Sequence, residues 1–358
     1  MKRRDFLKLL IGGGSYILFS SCGAGGSSQA SQAVEYKSIK FGLGDDPEKM
    51  IDGYDKSAKM VLDALKPDIV CMWINGGRDT SGNLYTPSMS YIEEWASKQR
   101  FNEWSKDGYE LMVITWENYN GQNPALGTPT YGDWHISDIF LETLDRLAGY
   151  LKSQFSGKLY FALAAEQSTY TACRYDKTCS NQSLYSDTID SVTEEYFSKL
   201  RDKLIQAIKL LKGYFPDADI GTCFGGWLVE FEKGVEFIKY FDPVIQESTA
   251  NFFQSMLGVT ASENNGYGNP ERILKNAEFY INYKKPVHLA YYMPINQRAD
   301  VIANDMIRMS SDSYLETIAQ YLSSFSFMYY GVLKENEYDC LSLTEDFRKK
   351  LKDIEISI

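Results

Sequence analysis

Apolar positions along this chain follow two alternating rhythms. Short runs rich in Val, Ile, Phe, Tyr and Trp, bounded by turn residues, fall at 39–43, 68–74, 110–116, 158–165, 219–224, 243–249, 286–292 and 325–333, and read as strands. Between them lie longer amphipathic stretches at 49–65, 91–104, 138–155, 192–214, 229–240, 270–283 and 300–322, with 343–354 closing the chain. The helical period is plainest where Phe197, Leu200, Leu204, Ile208 and Leu211 fall on one stripe. Eight strand–helix units in strict alternation imply a parallel sheet, and eight strands close a barrel. An open doubly wound sheet would carry a Gly-rich phosphate turn after its first strand. Gly42-Leu43-Gly44-Asp45-Asp46 lacks the third glycine, and Asp-Asp-Pro-Glu starts a helix instead. The pattern therefore predicts one α/β domain, a (β/α)8 TIM barrel over residues 35–358.

The N-terminus obeys neither rhythm. Arg3-Arg4-Asp5-Phe6-Leu7-Lys8 precedes an apolar run at 9–19 that contains Gly12-Gly13-Gly14 and ends at Ser20-Ser21-Cys22. That run is well short of the roughly 20 apolar residues a spanning helix needs. Paired arginines followed by a short apolar run resemble a twin-arginine export signal, and small residues before a cysteine resemble a lipoprotein signal. The expectation is that residues 1–21 are removed and that Cys22 carries lipid at the cell envelope. Residues 22–34 would form a flexible tether, since 23–33 contain only Gly, Ala, Ser and Gln.

Four basic residues and one aspartate leave with residues 1–21, so the net charge falls from −11 to −14. That acidity argues against nucleic acid or an anionic lipid surface as partner. Oligomeric state is not legible. With two histidines, His135 and His288, and no Cys-x-x-Cys spacing, a His-rich metal centre or attached haem is not expected, and no cofactor is assigned. Cys173 and Cys179 stand close together in a polar loop, where an oxidising compartment favours a disulfide. Cys71 and Cys223 lie in apolar strands and read as buried thiols.

In such a barrel, the groups that do chemistry come from the C-terminal strand ends and the loops beyond them. Those positions carry Trp73, Asn75 and Arg78; Trp116, Glu117, Asn118 and Tyr119; Glu166, Gln167 and Tyr170; Trp227; Glu247; and Tyr291 with Tyr292. Carboxylates and large aromatics therefore collect on one rim. Glycoside hydrolysis needs one carboxylic acid to protonate the leaving oxygen and one carboxylate to attack or activate water. Flat Trp and Tyr faces supply sugar platforms, and Asn, Gln and Arg bond hydroxyls. Glu166 is the strongest candidate because the apolar run Leu163-Ala164-Ala165 leads straight to it; Glu247 or Glu117 is its expected partner.

Three segments carry a family resemblance: Met112-Val113-Ile114-Thr115-Trp116-Glu117, His135-Ile136-Ser137-Asp138, and Phe161-Ala162-Leu163-Ala164-Ala165-Glu166. Together they resemble the retaining endo-β-mannanases of the large (β/α)8 glycosidase clan. The resemblance implies that Glu166 is the acid/base at the end of strand 4. That family's nucleophile is a Glu at the end of strand 7, where this chain reads Ala290-Tyr291-Tyr292. Two functions are therefore expected: a glycosidase with a rearranged carboxylate pair, or a carbohydrate-binding surface lipoprotein on the same barrel. A scaffold protein without an open aromatic cleft is the weaker third.

Overall fold

The computed structural model describes residues 38–77, 87–118, 138–166, 191–334 and 336–354. Eight strands form a closed parallel barrel in chain order: β1 (Lys40–Leu43), β2 (Ile69–Gly77), β3 (Glu110–Asn118), β4 (Leu159–Leu163), β5 (Asp219–Phe224), β6 (Asn251–Ser255), β7 (Val287–Tyr292) and β8 (Ser324–Phe327). β1 pairs with β8 to close it. Outside, in order, run α1 (Pro47–Ile51), α2 (Lys56–Leu65), α3 (Pro87–Ser97), α4 (Arg100–Lys106), α5 (Asp138–Gln154) and α6 (Ser191–Tyr214). They are followed by α7 (Glu232–Tyr240), α8 (Asp242–Glu247), α9 (Asn269–Tyr280), α10 (Ala299–Met309), α11 (Asp312–Ile318) and α12 (Cys340–Asp353). This is the (β/α)8 barrel the hydrophobic rhythm predicts.

Strand alternation sorts the apolar residues into two layers. Val70, Leu111, Phe161 and Phe253 face outward and pack against the helices, where the α6 stripe from Phe197 to Leu211 is also buried. Ile69, Cys71, Met112, Ile114, Tyr160, Ala162, Cys223 and Phe252 fill the barrel interior. Cys71, Cys223 and Cys340 are free, buried thiols.

The sixth strand departs from expectation. Residues 243–249 contain Val, Ile and Thr and read as a strand, yet Asp242–Glu247 is helix α8, with a proline in its first turn. Proline suits that position because its missing N–H has no intrahelical partner there anyway. The strand begins later, at Asn251. The eighth strand likewise stops at Phe327, and Tyr330–Leu333 is a turn of 3-10 helix.

At the N-terminal end, the interior closes over a polar network. Asp219 takes Lys158 at 2.9 Å and His288 Nε2 at 2.9 Å, and His288 Nδ1 lies 2.8 Å from Ser324 Oγ. Glu110 accepts from Tyr160 at 2.5 Å and pairs with Lys40. Asp68 accepts from Arg348 at 2.6 Å.

Candidate active site

At the opposite end, the β4 exit is bent into an unusual path. Ala164 and Glu166 take left-handed backbone angles, with φ of 52° and 62°. For residues with a side chain this costs on the order of 1 kcal/mol each and must be imposed by neighbours. The neighbours are identifiable. Ala164 N donates to Thr115 Oγ1 at 2.8 Å, Ala165 N donates to the Thr115 carbonyl at 2.8 Å, and Glu166 N donates to the Cys223 carbonyl at 3.1 Å. β3 and β5 thus grip the bend from both sides and hold Glu166 at the barrel mouth.

There Tyr291 donates its hydroxyl to Glu166 Oε1 at 2.7 Å. Tyr291 reaches the interior because the β6–β7 register shifts: Phe253 stands opposite Leu289, but Gln254 stands opposite Tyr291. The extra residue puts both Ala290 and Tyr291 inside the barrel. Trp73 of β2 meets the Tyr291 ring edge-on, with centroids 5.0 Å apart. Gln254 of β6 is fully buried beside the same carboxyl. β6 comes close enough because Gly226 has no side chain; a Cβ there would lie 2.0 Å from the Gln254 carbonyl oxygen.

Burial pushes the Glu166 carboxyl above the usual glutamate range, against the opposing pull of Tyr291 and Gln254. A carboxyl so placed keeps its proton to higher pH than an ordinary glutamate, as a general acid must. Asp45, at the end of β1, is also raised by burial, and its Oδ1 has no hydrogen-bond partner among the described residues. Its neighbour Asp46 caps α1, accepting from Glu48 N at 3.1 Å and Lys49 N at 3.3 Å.

The expected site residues separate into groups. Glu166, Trp73 and Tyr291 come together at the mouth. Trp227 follows β5 and lies over Gly225, where a Cβ would come within 2.9 Å of its ring. β3 carries the backbone of Trp116, Glu117 and Asn118 to the rim, and Glu117 pairs in register with Gly76, next to Asn75 on β2. Two residues require correction. Glu247 ends α8, ahead of β6 and therefore at the N-terminal end, where Lys212 holds it at 2.6 Å; it is not brought to Glu166. Tyr292 turns outward into the layer under α10, 0% exposed, and donates to Asp305 Oδ2 at 2.8 Å. The same register shift that admits Tyr291 expels Tyr292. Arg78, Tyr119, Gln167, Tyr170, Cys22, Cys173 and Cys179 lie outside the described residues. Gln254 and Asp45 escape the sequence reading: Gln254 because the sixth strand is misplaced, and Asp45 because the helix start beside it accounts for an Asp-Asp pair.

The chain is a (β/α)8 barrel with a desolvated carboxyl among aromatic rings at its C-terminal mouth, the end where such barrels carry their chemistry. The comparisons agree at the level of fold. A modular endo-β-1,4-mannanase from Cellulomonas fimi superposes with a TM-score of 0.52 at 11% identity, over 87% of this chain and 70% of that one. The Bacillus subtilis mannanase BCman gives 0.50 at 10% identity, over 86% and 85% of the two chains. No protein-family model and no curated protein matches the sequence.

Proposed function

We propose that this protein is a glycosidase acting on a polysaccharide or oligosaccharide, with Glu166 as its general acid. One observation carries the reading: a buried carboxyl, held on a strained strand exit and hydrogen-bonded by Tyr291, stands at the mouth of a glycosidase-like barrel. In this scheme Glu166 protonates the glycosidic oxygen as the bond to the anomeric carbon breaks. Glu117, on the neighbouring strand, then becomes the ionised partner that attacks or activates water. Burial keeps the acid protonated, while the Tyr291 hydroxyl orients it. A separation of about 5–5.5 Å between the two carboxyls would mean retention, and about 6.5–9.5 Å inversion.

A second reading, a non-catalytic carbohydrate-binding lipoprotein, is favoured by a different observation. β7 ends in Ala290-Tyr291-Tyr292, with no carboxylate, where the resembled family has its nucleophile. Protein lacking residues 1–34, screened against polysaccharides for both binding and reducing-end release, separates the two. Glu166→Gln keeps the shape and removes the proton; turnover should fall at least about a hundredfold while binding survives. Binding without cleavage by the wild type selects the second reading, and unchanged cleavage by Glu166→Gln removes Glu166 from the mechanism.

We further propose export by the twin-arginine route and lipid anchoring through Cys22, supported by Arg3-Arg4 and Ser20-Ser21-Cys22. Cys22→Ala should release the protein into the soluble fraction of cells. Unchanged membrane association would contradict the anchor.

A further inference from the structure

Gln254 is 0% exposed, yet neither its Nε2 nor its Oε1 has a hydrogen-bond partner among the described residues. The amide faces Glu166 and pulls that carboxyl's pKa down, though no hydrogen bond of ordinary geometry joins the two. Trp73 is half-buried and packs against the interior cluster that holds Tyr291; its Nε1 is itself buried and has no partner among the described residues. Buried polar groups are nearly always paired, because each unpaired one costs about 1–3 kcal/mol. Three such groups gathered beside a strained carboxyl call for a partner that arrives from outside.

Their chemistry limits what that partner can be. Gln254 offers donors at Nε2 and acceptor lone pairs at Oε1, and Trp73 offers one further donor. A carboxylate ligand would have nothing to donate to Oε1, and an apolar ligand would leave all three orphaned. Adjacent hydroxyls on a ring satisfy the amide at both ends, since each hydroxyl both donates and accepts. Building on the sugar-active reading of the mouth, we infer that Gln254 and Trp73 recognise a neutral vicinal diol of the pyranose ring seated against Glu166. The amide takes two neighbouring hydroxyls and the indole N–H takes a third oxygen. Gln254 is then a specificity-determining residue that contributes nothing to the free fold.

That last consequence makes the assignment testable without knowing the natural substrate. Mannotetraose, cellotetraose and chitotetraose, which differ in the group at C2, serve as probes in calorimetric titrations of the wild type and Gln254→Leu. Thermal melts of both proteins without sugar accompany them. The wild type should bind at least one probe, and Gln254→Leu should weaken that binding about ten- to hundredfold. Its melting temperature without sugar should match or exceed the wild type's. Binding that survives Gln254→Leu overturns this inference and leaves the sugar-active reading standing. A variant that melts several degrees lower overturns it too, because Gln254 would then serve the fold. If the wild type binds none of the three probes, the reading of the mouth as a sugar site falls, and this inference falls with it.

Discussion

The two ends of the barrel use similar polar residues in opposite ways. At the N-terminal end, Asp219, Glu110 and Asp68 each meet a cation, a hydroxyl or a ring N–H. At the C-terminal mouth, Gln254, Trp73 Nε1 and Asp45 Oδ1 meet none among the described residues, and the backbone at Ala164 and Glu166 is strained. One end pairs its carboxylates within the fold; the other carries unfavourable terms that, on the proposed function, a bound sugar would relieve. On that proposal stability and function are separated along the barrel axis, as the fold permits when the chemistry is confined to one rim.

The comparison breaks most sharply at Asp219. Burial opposes its ionisation, but the His288 and Lys158 bonds outweigh that and hold its carboxyl below the usual range. Its stabilisation is therefore present above the unfolded pKa and is lost as pH falls through the folded one. Asp219→Ala strands His288 and Lys158 and should cost about 3 kcal/mol in denaturant unfolding at neutral pH, with any sugar binding by the folded fraction unchanged. A loss confined to binding would reverse the roles of the two ends.

Asp305 of α10 gives a second, slightly smaller effect. It anchors the rear of the mouth, taking Asn269 Nδ2 and Tyr292 OH at 2.8 Å each, while Asn269 takes Ser255 Oγ at 2.7 Å. Burial raises its pKa from 3.8 to about 6; Asn269, Tyr292 and Arg308 pull it down and Glu271 adds to the rise. An acid raised on folding opposes the fold once ionised, so this contribution weakens stability as pH climbs from about 4 to 6. Asp305→Asn should remove that dependence: relative to wild type, its unfolding free energy should improve by about 2–3 kcal/mol between pH 4 and pH 7. Parallel pH dependences in the two proteins would rule the effect out.

Tyr291→Phe is the mildest change. It removes a bond that favours the ionised Glu166, so the carboxyl should move further up and the alkaline limb of any activity profile should shift to higher pH. Stability should change by no more than about 1 kcal/mol. An alkaline limb moving to lower pH would contradict the assigned direction of that hydrogen bond.

How much of this was legible in the sequence varies by element. The barrel was, because eight apolar runs separated by amphipathic stretches leave few alternatives. The position of Glu166 at the mouth was, because the apolar run 161–165 leads straight to it. The sixth strand was not: 243–249 has strand composition, and a short apolar run cannot reveal that Pro243 opens a helix. That one shift carried Glu247 to the wrong end and hid Gln254. The exchange of Tyr291 and Tyr292 was also illegible, since a register shift depends on how β7 meets its partner strands and not on β7 alone.

The central claim is that the mouth serves a ligand at the expense of the fold. It is tested most directly by the melting temperature of Glu166→Gln beside the wild type at pH 7, without sugar. Glutamine keeps an oxygen for the Tyr291 hydroxyl and removes a carboxyl that burial disfavours, so the variant should melt at or above the wild type. A clear drop in melting temperature would mean that Glu166 holds the barrel together, as the carboxylates at the other end do.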